Sequence, residues 1–160
     1  MRAHGQPPHG RRHPLRARHH AIKPVPEVVW ERVGEVREVV YRTIEELSPP
    51  RWSFVFTNVL QAGDRADEAV VDRLARLAEA RGSLYLPVRV RCELDELIAR
   101  VPNPDRRARQ KWIDPDAVRT FIGTTVLVDL ERHDPLDLDT TTRRPEESAQ
   151  LIVDHWIAHR

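Results

Sequence analysis

The sequence contains a single cysteine, Cys92, among its 160 residues. One cysteine excludes an internal disulfide and a cysteine-rich zinc site, and its place at the end of an alternating apolar stretch favours a small buried residue over a nucleophile. The sequence also lacks an apolar run of about 18 residues, which a membrane-spanning helix requires. Its start lacks the apolar centre of roughly 7–15 residues that secretory signals contain. These absences predict a cytoplasmic protein with no membrane partner.

Charge is divided unevenly along the chain. Residues 1–26 contain six of the 26 Lys and Arg residues, five of the eight His residues and no acidic residue, so residues 27–160 contain 20 basic against 25 acidic side chains. The basic opening cannot form a core, and we expect residues 1–25 to be a disordered or aberrant segment before one domain over residues 26–160. Because that domain is mildly acidic, nucleic acid is not an expected partner of its surface. The alternative is that the opening serves as a basic arm for nucleic acid, although no aromatic side chain interleaves its arginines.

Gly5, Gly10 and Arg11 have the Gly-x4-Gly-basic spacing of a phosphate-binding loop. A Walker A loop requires Lys at the position of Arg11 and Ser or Thr at that of Arg12, because the ammonium reaches the outer phosphates and the hydroxyl holds magnesium. It also follows an apolar strand, which the short stretch before Gly5 does not supply. We therefore expect this loop to be degenerate.

Apolar periodicity predicts strands that alternate with helices. The predicted elements are a helix over 26–47, a strand over 52–60, a helix between 64 and 82, a strand over 84–92, a helix ending at 101, a helix over 114–122, a strand over 136–139 and a helix from 145. Gly123–His133 is either a short strand or an extended return, since Val126, Val128 and Leu130 alternate with polar and apolar neighbours. In the first helix the predicted core-facing stripe is Val29, Val33, Val36, Val40, Ile44 and Leu47. This order predicts an α/β fold, a three-layer parallel sheet with helices on both faces.

A densely basic loop is predicted over about 102–112, after a helix that prolines end. Its cations include Arg106, Arg109 and Lys111. Guanidinium groups match phosphate oxygens, so a loop of this kind at the carboxyl ends of parallel strands suits a polyphosphate. Ordinary solvated surface arginines are the alternative.

Two polar pairs are further candidates. Thr57 and Asn58 interrupt the apolar run 52–60 near its carboxyl end, where an α/β sheet presents reacting groups, or they satisfy local backbone bonds. His155 and His159 share a face of the last helix at the i, i+4 spacing of metal ligands. No third ligand is identifiable, so an exposed helix face is favoured for this pair.

Together these pieces resemble the small P-loop kinases, the group of shikimate-kinase-like and adenylate-kinase-like phosphotransferases, described as AAA-family ATPases or putative kinases. The resemblance covers roughly residues 22–160. It is carried by Ser53–Asn58, by Val88–Glu93 with Leu97 and Arg100, by Asn103–Lys111, and by Leu136–Thr141 followed by Pro145–Glu147. It implies ATP and Mg²⁺ as cofactors and phosphoryl transfer to a small-molecule substrate. It assigns the phosphates to Arg106, Arg109 and Lys111 with Arg100 in support, the adenine to Thr140, Thr141 and Thr142, magnesium or substrate to Thr57 and Asn58, and a degenerate phosphate loop to Gly5, Gly10 and Arg11.

The chain departs from this family at its start. The family begins with a central strand and a complete Walker A loop, and their loss removes much of the machinery that positions the phosphates. We therefore expect a P-loop kinase-like fold missing its first strand, poor or absent activity, and a truncated, misassigned or frame-shifted start. The alternative is a non-catalytic interaction protein that uses its helices or an open sheet edge to bind a partner or to form a homo-oligomer.

Overall fold

The computed structural model describes residues 26–109 and 111–160, together with the backbone of two short strands that precede them. The elements are β1 (His19–His20), β2 (Lys23–Pro24), α1 (Glu27–Leu47), α2 (Arg65–Ala80), β3 (Val88–Arg91), α3 (Leu94–Arg100), α4 (Pro104–Ala108), α5 (Pro115–Thr124), a 3-10 helix (Glu131–His133), β4 (Leu136–Asp139) and α6 (Pro145–Ala158). β1 and β2 pair antiparallel. Among the described residues no helix is long and apolar enough to cross a bilayer.

The predicted helix starts are confirmed because each depends on a local signal. The side chain of Asp64 accepts a hydrogen bond from the backbone amide of Ala66 at the start of α2. The side chain of Asp114 does the same at α5, and Pro115 occupies the first turn, where a missing amide donor costs nothing. Gly82 follows α2 at φ +59°, a left-handed conformation that glycine adopts without a Cβ clash.

The strands β3 and β4 pair in parallel, which confirms the α/β class. Their register places Val88 beside Leu136 and Arg91 beside Asp139. The connection between them contains α3, α4 and α5, as a parallel pair requires a long crossover. Within residues 26–109 and 111–160 these are the only two strands that form a sheet.

The predicted strand over 52–60 does not form. Residues 52–60 have no strand assignment, and Val55 is 91% exposed. Among the residues that the structure describes, β-type pairing involves only the end of this segment: Gln61 bridges Leu127 antiparallel, and the backbone of Val128 donates to the carbonyl of Leu60 at 3.0 Å. Within the open segment 123–133, residues 126–128 are therefore an extended return, while its first two residues belong to α5 and its last three form the 3-10 helix. Apolar, β-branched composition favours extended backbone, but a strand also needs a neighbouring strand, which local sequence does not supply.

The main core lies between α1 and α2 and is formed by Tyr41, Ile44, Leu74 and Leu77. The predicted stripe of α1 is wrong over most of its length, since Ile44 is buried but Val36 and Leu47 are 63% and 76% exposed. α1 packs on α2 through the adjacent face that carries Tyr41. The ring of Phe56 meets Tyr41 edge-on at 5.5 Å.

The predicted basic loop is also corrected in part, because its middle folds as the short helix α4. The side chain of Asn103 caps this helix by accepting from the amide of Asp105 at 2.9 Å, and Pro104 occupies the first turn. Polar composition alone suggested a loop, whereas a cap residue followed by proline is a helix-start signal. Cys92 is half-buried just after β3.

Candidate functional site

The carboxyl ends of β3 and β4 are joined by residues 139–142, which we call the threonine turn. The backbone amide and the hydroxyl of Thr140 both donate to the carbonyl of Arg91, at 2.9 and 2.8 Å. The hydroxyl of Thr141 accepts from the amide of Glu93 at 2.9 Å and donates to Asp139 Oδ1 at 2.6 Å. The hydrogen bond from Thr141 is the main reason that the pKa of Asp139 is lowered. These contacts fix the threonine turn to the carboxyl end of β3.

Arg100, at the end of α3, holds the threonine turn from the other side. Its Nη2 donates to the carbonyls of Thr140 and Thr141, both at 2.8 Å. Its Nε donates to Glu96 one helical turn earlier, at 2.7 Å. The structure therefore brings together two groups of predicted site residues, the threonines and Arg100. Arg100 is engaged with backbone carbonyls, so its observed contacts position the turn.

The predicted phosphate-binding cations lie on and just after α4. They differ in whether their side chains already have hydrogen-bond partners. Arg106 Nε donates to the carbonyl of Trp112 at 3.0 Å, which folds the end of the segment back on α4. By contrast, the side chains of Arg107, Arg109 and Lys111 are exposed and make no hydrogen bond or ion pair with any residue that the structure describes. Three cations within five residues are thus available to a ligand.

Thr57 and Asn58, two further predicted site residues, are not joined to the threonine turn. Thr57 and Asn58 are exposed, and in the described part of the chain no hydrogen bond or ion pair links their side chains to the threonine turn. Gly5, Gly10 and Arg11 lie outside the described residues.

An ionic network on the β3–β4 pair was missed by the sequence reasoning. Arg89 Nε donates to Asp137 Oδ1 at 2.5 Å, Arg89 Nη2 contacts Glu131 at 2.5 Å, and Arg91 also pairs with Asp137. The hydrogen bond from Arg89 is the main reason that the pKa of Asp137 is lowered, and the same bond raises the pKa of Arg89. A signal was present, because alternating basic residues in one strand and acidic residues in the other face each other in a parallel register.

Metal ligands are sparse in the part of the chain that is described. No group of three or more His, Cys, Asp or Glu side chains gathers in residues 26–109 and 111–160. The imidazole rings of His155 and His159 lie 4.1 Å apart, and that pair has no third partner of these types among those residues. A magnesium ion bound with a nucleotide does not require three protein ligands, because substrate phosphates and waters supply most of its coordination. One carboxylate at the nucleotide site would be enough. Asp139, at the carboxyl end of β4, is the carboxylate of the threonine turn.

A groove of about 480 Å³ lies between α1 and α2, away from the threonine turn. Its charged lining is largely paired: Arg73 donates to Glu38 at 3.1 Å and to Glu45 at 2.9 Å. Asp67, 2% exposed, accepts from the amide of Gln61 at 2.9 Å. These contacts connect α1 to α2 and position the start of α2. The charged side chains of the groove therefore stabilise the fold.

Comparison of the chain with protein-family models, with curated proteins and with solved structures finds no match.

Proposed function

We propose that this chain is a relative of the P-loop kinases in which the cations after α4 and the threonine turn bind a nucleoside triphosphate, with ATP and Mg²⁺ as the expected ligands. Its full architecture in this proposal is the three-layer parallel sheet of that family, of which β3 and β4 are two neighbouring strands. The observation that carries the proposal is the position of the basic segment: it belongs to the crossover between two parallel strands whose carboxyl ends are tied together.

The topology supports a ligand at this edge. In open α/β sheets, ligands bind outside the carboxyl ends of parallel strands, and the connections that leave those ends supply the binding groups. Here α3 follows β3 in the chain, and Arg100 at the end of α3 donates hydrogen bonds to the threonine turn after β4. The helix α4 begins four residues after Arg100. A base could rest against the threonine turn while the cations reach its phosphates.

The charge state of the segment supports a polyanionic ligand. Arg107, Arg109 and Lys111 have no acidic partner among the described residues, whereas the arginines of β3 are neutralised by Asp137 and Glu131. An unpaired cluster on an otherwise mildly acidic domain attracts a compact multivalent anion better than it attracts a single carboxylate.

Binding and phosphoryl transfer separate in this proposal. Arg11 stands where a Walker A loop has Lys, and Arg12 stands where it has Ser or Thr. Transfer depends on those groups for positioning and charge stabilisation. We therefore expect measurable ATP binding with little or no phosphoryl transfer to small-molecule acceptors.

The test is ATP-dependent thermal stabilisation, with and without Mg²⁺, at low ionic strength. ATP should raise the Tm, and Arg109→Ala with Lys111→Ala should weaken ATP binding about 10-fold for each cation removed, since each such contact contributes roughly 1.4 kcal/mol. The matched control removes two exposed arginines elsewhere, Arg51→Ala with Arg65→Ala, and should leave ATP binding unchanged. No ATP-induced shift up to the millimolar range, or equal loss in the control, would refute the proposal.

A second measurement separates recognition of the base from recognition of the phosphates. Inorganic tripolyphosphate probes the cations alone. Arg100→Ala loosens the threonine turn, so it should weaken ATP binding by a larger factor than tripolyphosphate binding. Equal effects on the two ligands would show that the threonine turn takes no part in binding.

One observation favours a second candidate, a non-catalytic interaction protein. Trp52, Val55 and Val59 are 54%, 91% and 61% exposed along one segment, and exposed apolar side chains that lie together can form a contact surface for a partner. Capture of a partner by the intact protein that Val55→Glu abolishes, in the absence of any ATP-induced shift, would favour this function.

A further inference from the structure

The outer face of α1 carries an apolar stripe that no described element covers. Its exposed members include Val29, Val36, Val40 and Leu47, at 41–76% exposure. The face of α1 that packs on α2 adjoins this stripe, because Tyr41 projects about 80–160° around the helix from its members. Ile44 is buried in the core, and Val33 lines the groove between α1 and α2 at the border of the two faces. We name Val29, Val33, Val36, Val40, Thr43 and Leu47 the α1 seam.

The spacing of the α1 seam is that of a coiled coil. Its members are separated by alternating steps of four and three residues, which is the a/d repeat that lets two helices interlock along their length. Thr43 is its single polar member. Its hydroxyl already donates to the carbonyl of Val39 at 2.8 Å, so burial in a helix pair would leave no unsatisfied donor.

We infer that α1 pairs with α1 of a second copy in antiparallel orientation, so that the chain forms a symmetric dimer. In that orientation Val36 faces Val40 of the second copy, Val29 faces Leu47, and every seam residue finds a partner. A self-complementary patch of this kind is what a two-fold dimer requires.

The charges beside the seam select the antiparallel arrangement. Arg32 and Glu46 flank the seam on the same side, and an antiparallel pair places each Arg32 next to Glu46 of the other copy, twice in the dimer. Arg32 contacts Glu35 of its own helix at 2.6 Å, and its other guanidinium donors are open to a second acceptor. A parallel pair would instead place Arg32 next to Arg37. In the antiparallel pair the two copies of Arg37 approach each other on the side turned toward α2, where Arg37 lines the groove.

The overlap is short, so the dimer should be reversible. The seam spans 19 residues, which corresponds to a contact about 28 Å long. An interface of that length is near the lower limit for a stable association, so the dissociation constant should fall in the micromolar range.

Sedimentation of the full chain across micromolar concentrations tests the dimer. We expect a monomer–dimer equilibrium that Val36→Glu weakens by about 100-fold or more, because a carboxylate would be buried against Val40. The matched control is Val55→Glu, the same change at a more exposed apolar residue outside α1, and it should leave the equilibrium unchanged. A monomer at every concentration, or loss of the dimer in Val55→Glu but not in Val36→Glu, would overturn the inference.

A charge-reversal cycle tests the orientation. Arg32→Glu and Glu46→Arg should each weaken the dimer several-fold at low salt, and the double variant should recover most of the loss. A parallel pair predicts the opposite effect on dimer affinity. In that arrangement the side chain introduced by Arg32→Glu would lie next to Arg37 of the other copy and strengthen association. Stronger association in Arg32→Glu, or a double variant no better than the singles, would refute the antiparallel pairing. As a control, circular dichroism should show the same helix content in each variant as in the wild type.

Discussion

The attachment of α1 to the rest of the domain depends strongly on one side chain, Arg81. α1 has no basic residue in its last turn, so its last carbonyls lack a cation from their own helix. Arg81, just after α2, supplies one. Its Nη1 donates to the carbonyls of Ile44 and Ser48 at 2.5 and 3.2 Å, and its Nη2 donates to the carbonyls of Pro49 and Trp52 at 2.9 and 3.4 Å. Its guanidinium carbon also lies 5.3 Å from the centre of the Phe54 ring.

Replacing Arg81 by Ala should therefore destabilise the protein by about 2–3 kcal/mol. Four hydrogen bonds from a charged donor are lost from a half-buried site, and each contributes near the lower end of about 0.5–1.5 kcal/mol because water replaces part of the contact. The corresponding fall in Tm is roughly 5–10 °C for a chain of this size. Arg81→Lys should recover less than half of the loss, because a single ammonium cannot reach four carbonyls and the ring at once.

Urea unfolding at pH 7 measures these differences. The matched control is Arg76→Ala, which removes an exposed arginine from the same helix and should change the free energy of unfolding by no more than about 0.5 kcal/mol. A loss below about 0.5 kcal/mol in Arg81→Ala, or wild-type stability in Arg81→Lys, would refute this account of the α1 attachment.

Three further predictions concern stability. Val71→Ala, at a residue 1% exposed, should cost about 2 kcal/mol in urea unfolding, since two buried methyl groups are lost and a cavity remains. Arg73→Ala should cost about 1–2 kcal/mol, and adding Glu38→Ala should cost little more if Glu38 acts through Arg73, which a double-mutant cycle measures. Asp137 has a folded-state pKa lowered below its ordinary 3.8, so its contribution to stability is complete above pH 3.8 and is lost as pH falls through the lowered pKa. Asp137→Asn should therefore flatten the acid side of the stability profile, and an unchanged slope between pH 4 and 2 would contradict the pairing with Arg89.

What could be predicted from the sequence were the features that a few neighbouring residues determine. The start of α2 at Asp64 and the start of α5 at Asp114 follow from caps and prolines. Alternation predicts the two strands, although β3 is shorter (Val88–Arg91) than the predicted 84–92, and it does not predict that β3 pairs with β4. The clustering of cations around Arg106 was equally visible. Whether that cluster binds a triphosphate stays a prediction.

Only the tertiary structure decided which of these segments and side chains pair or pack with others. The apolar run 52–60 has strand composition but no neighbouring strand in the described part of the chain. The buried face of α1 carries Tyr41, and Arg100 donates hydrogen bonds to the threonine turn. The residues that hydrogen-bond to a strand or pack on a helix lie tens of positions away in the sequence. The side chains of the strand or helix itself do not specify which distant segment packs against it. Local composition thus determined where helices begin and which side chains are charged, whereas long-range packing decided which apolar faces are covered and which cations keep their charge unpaired.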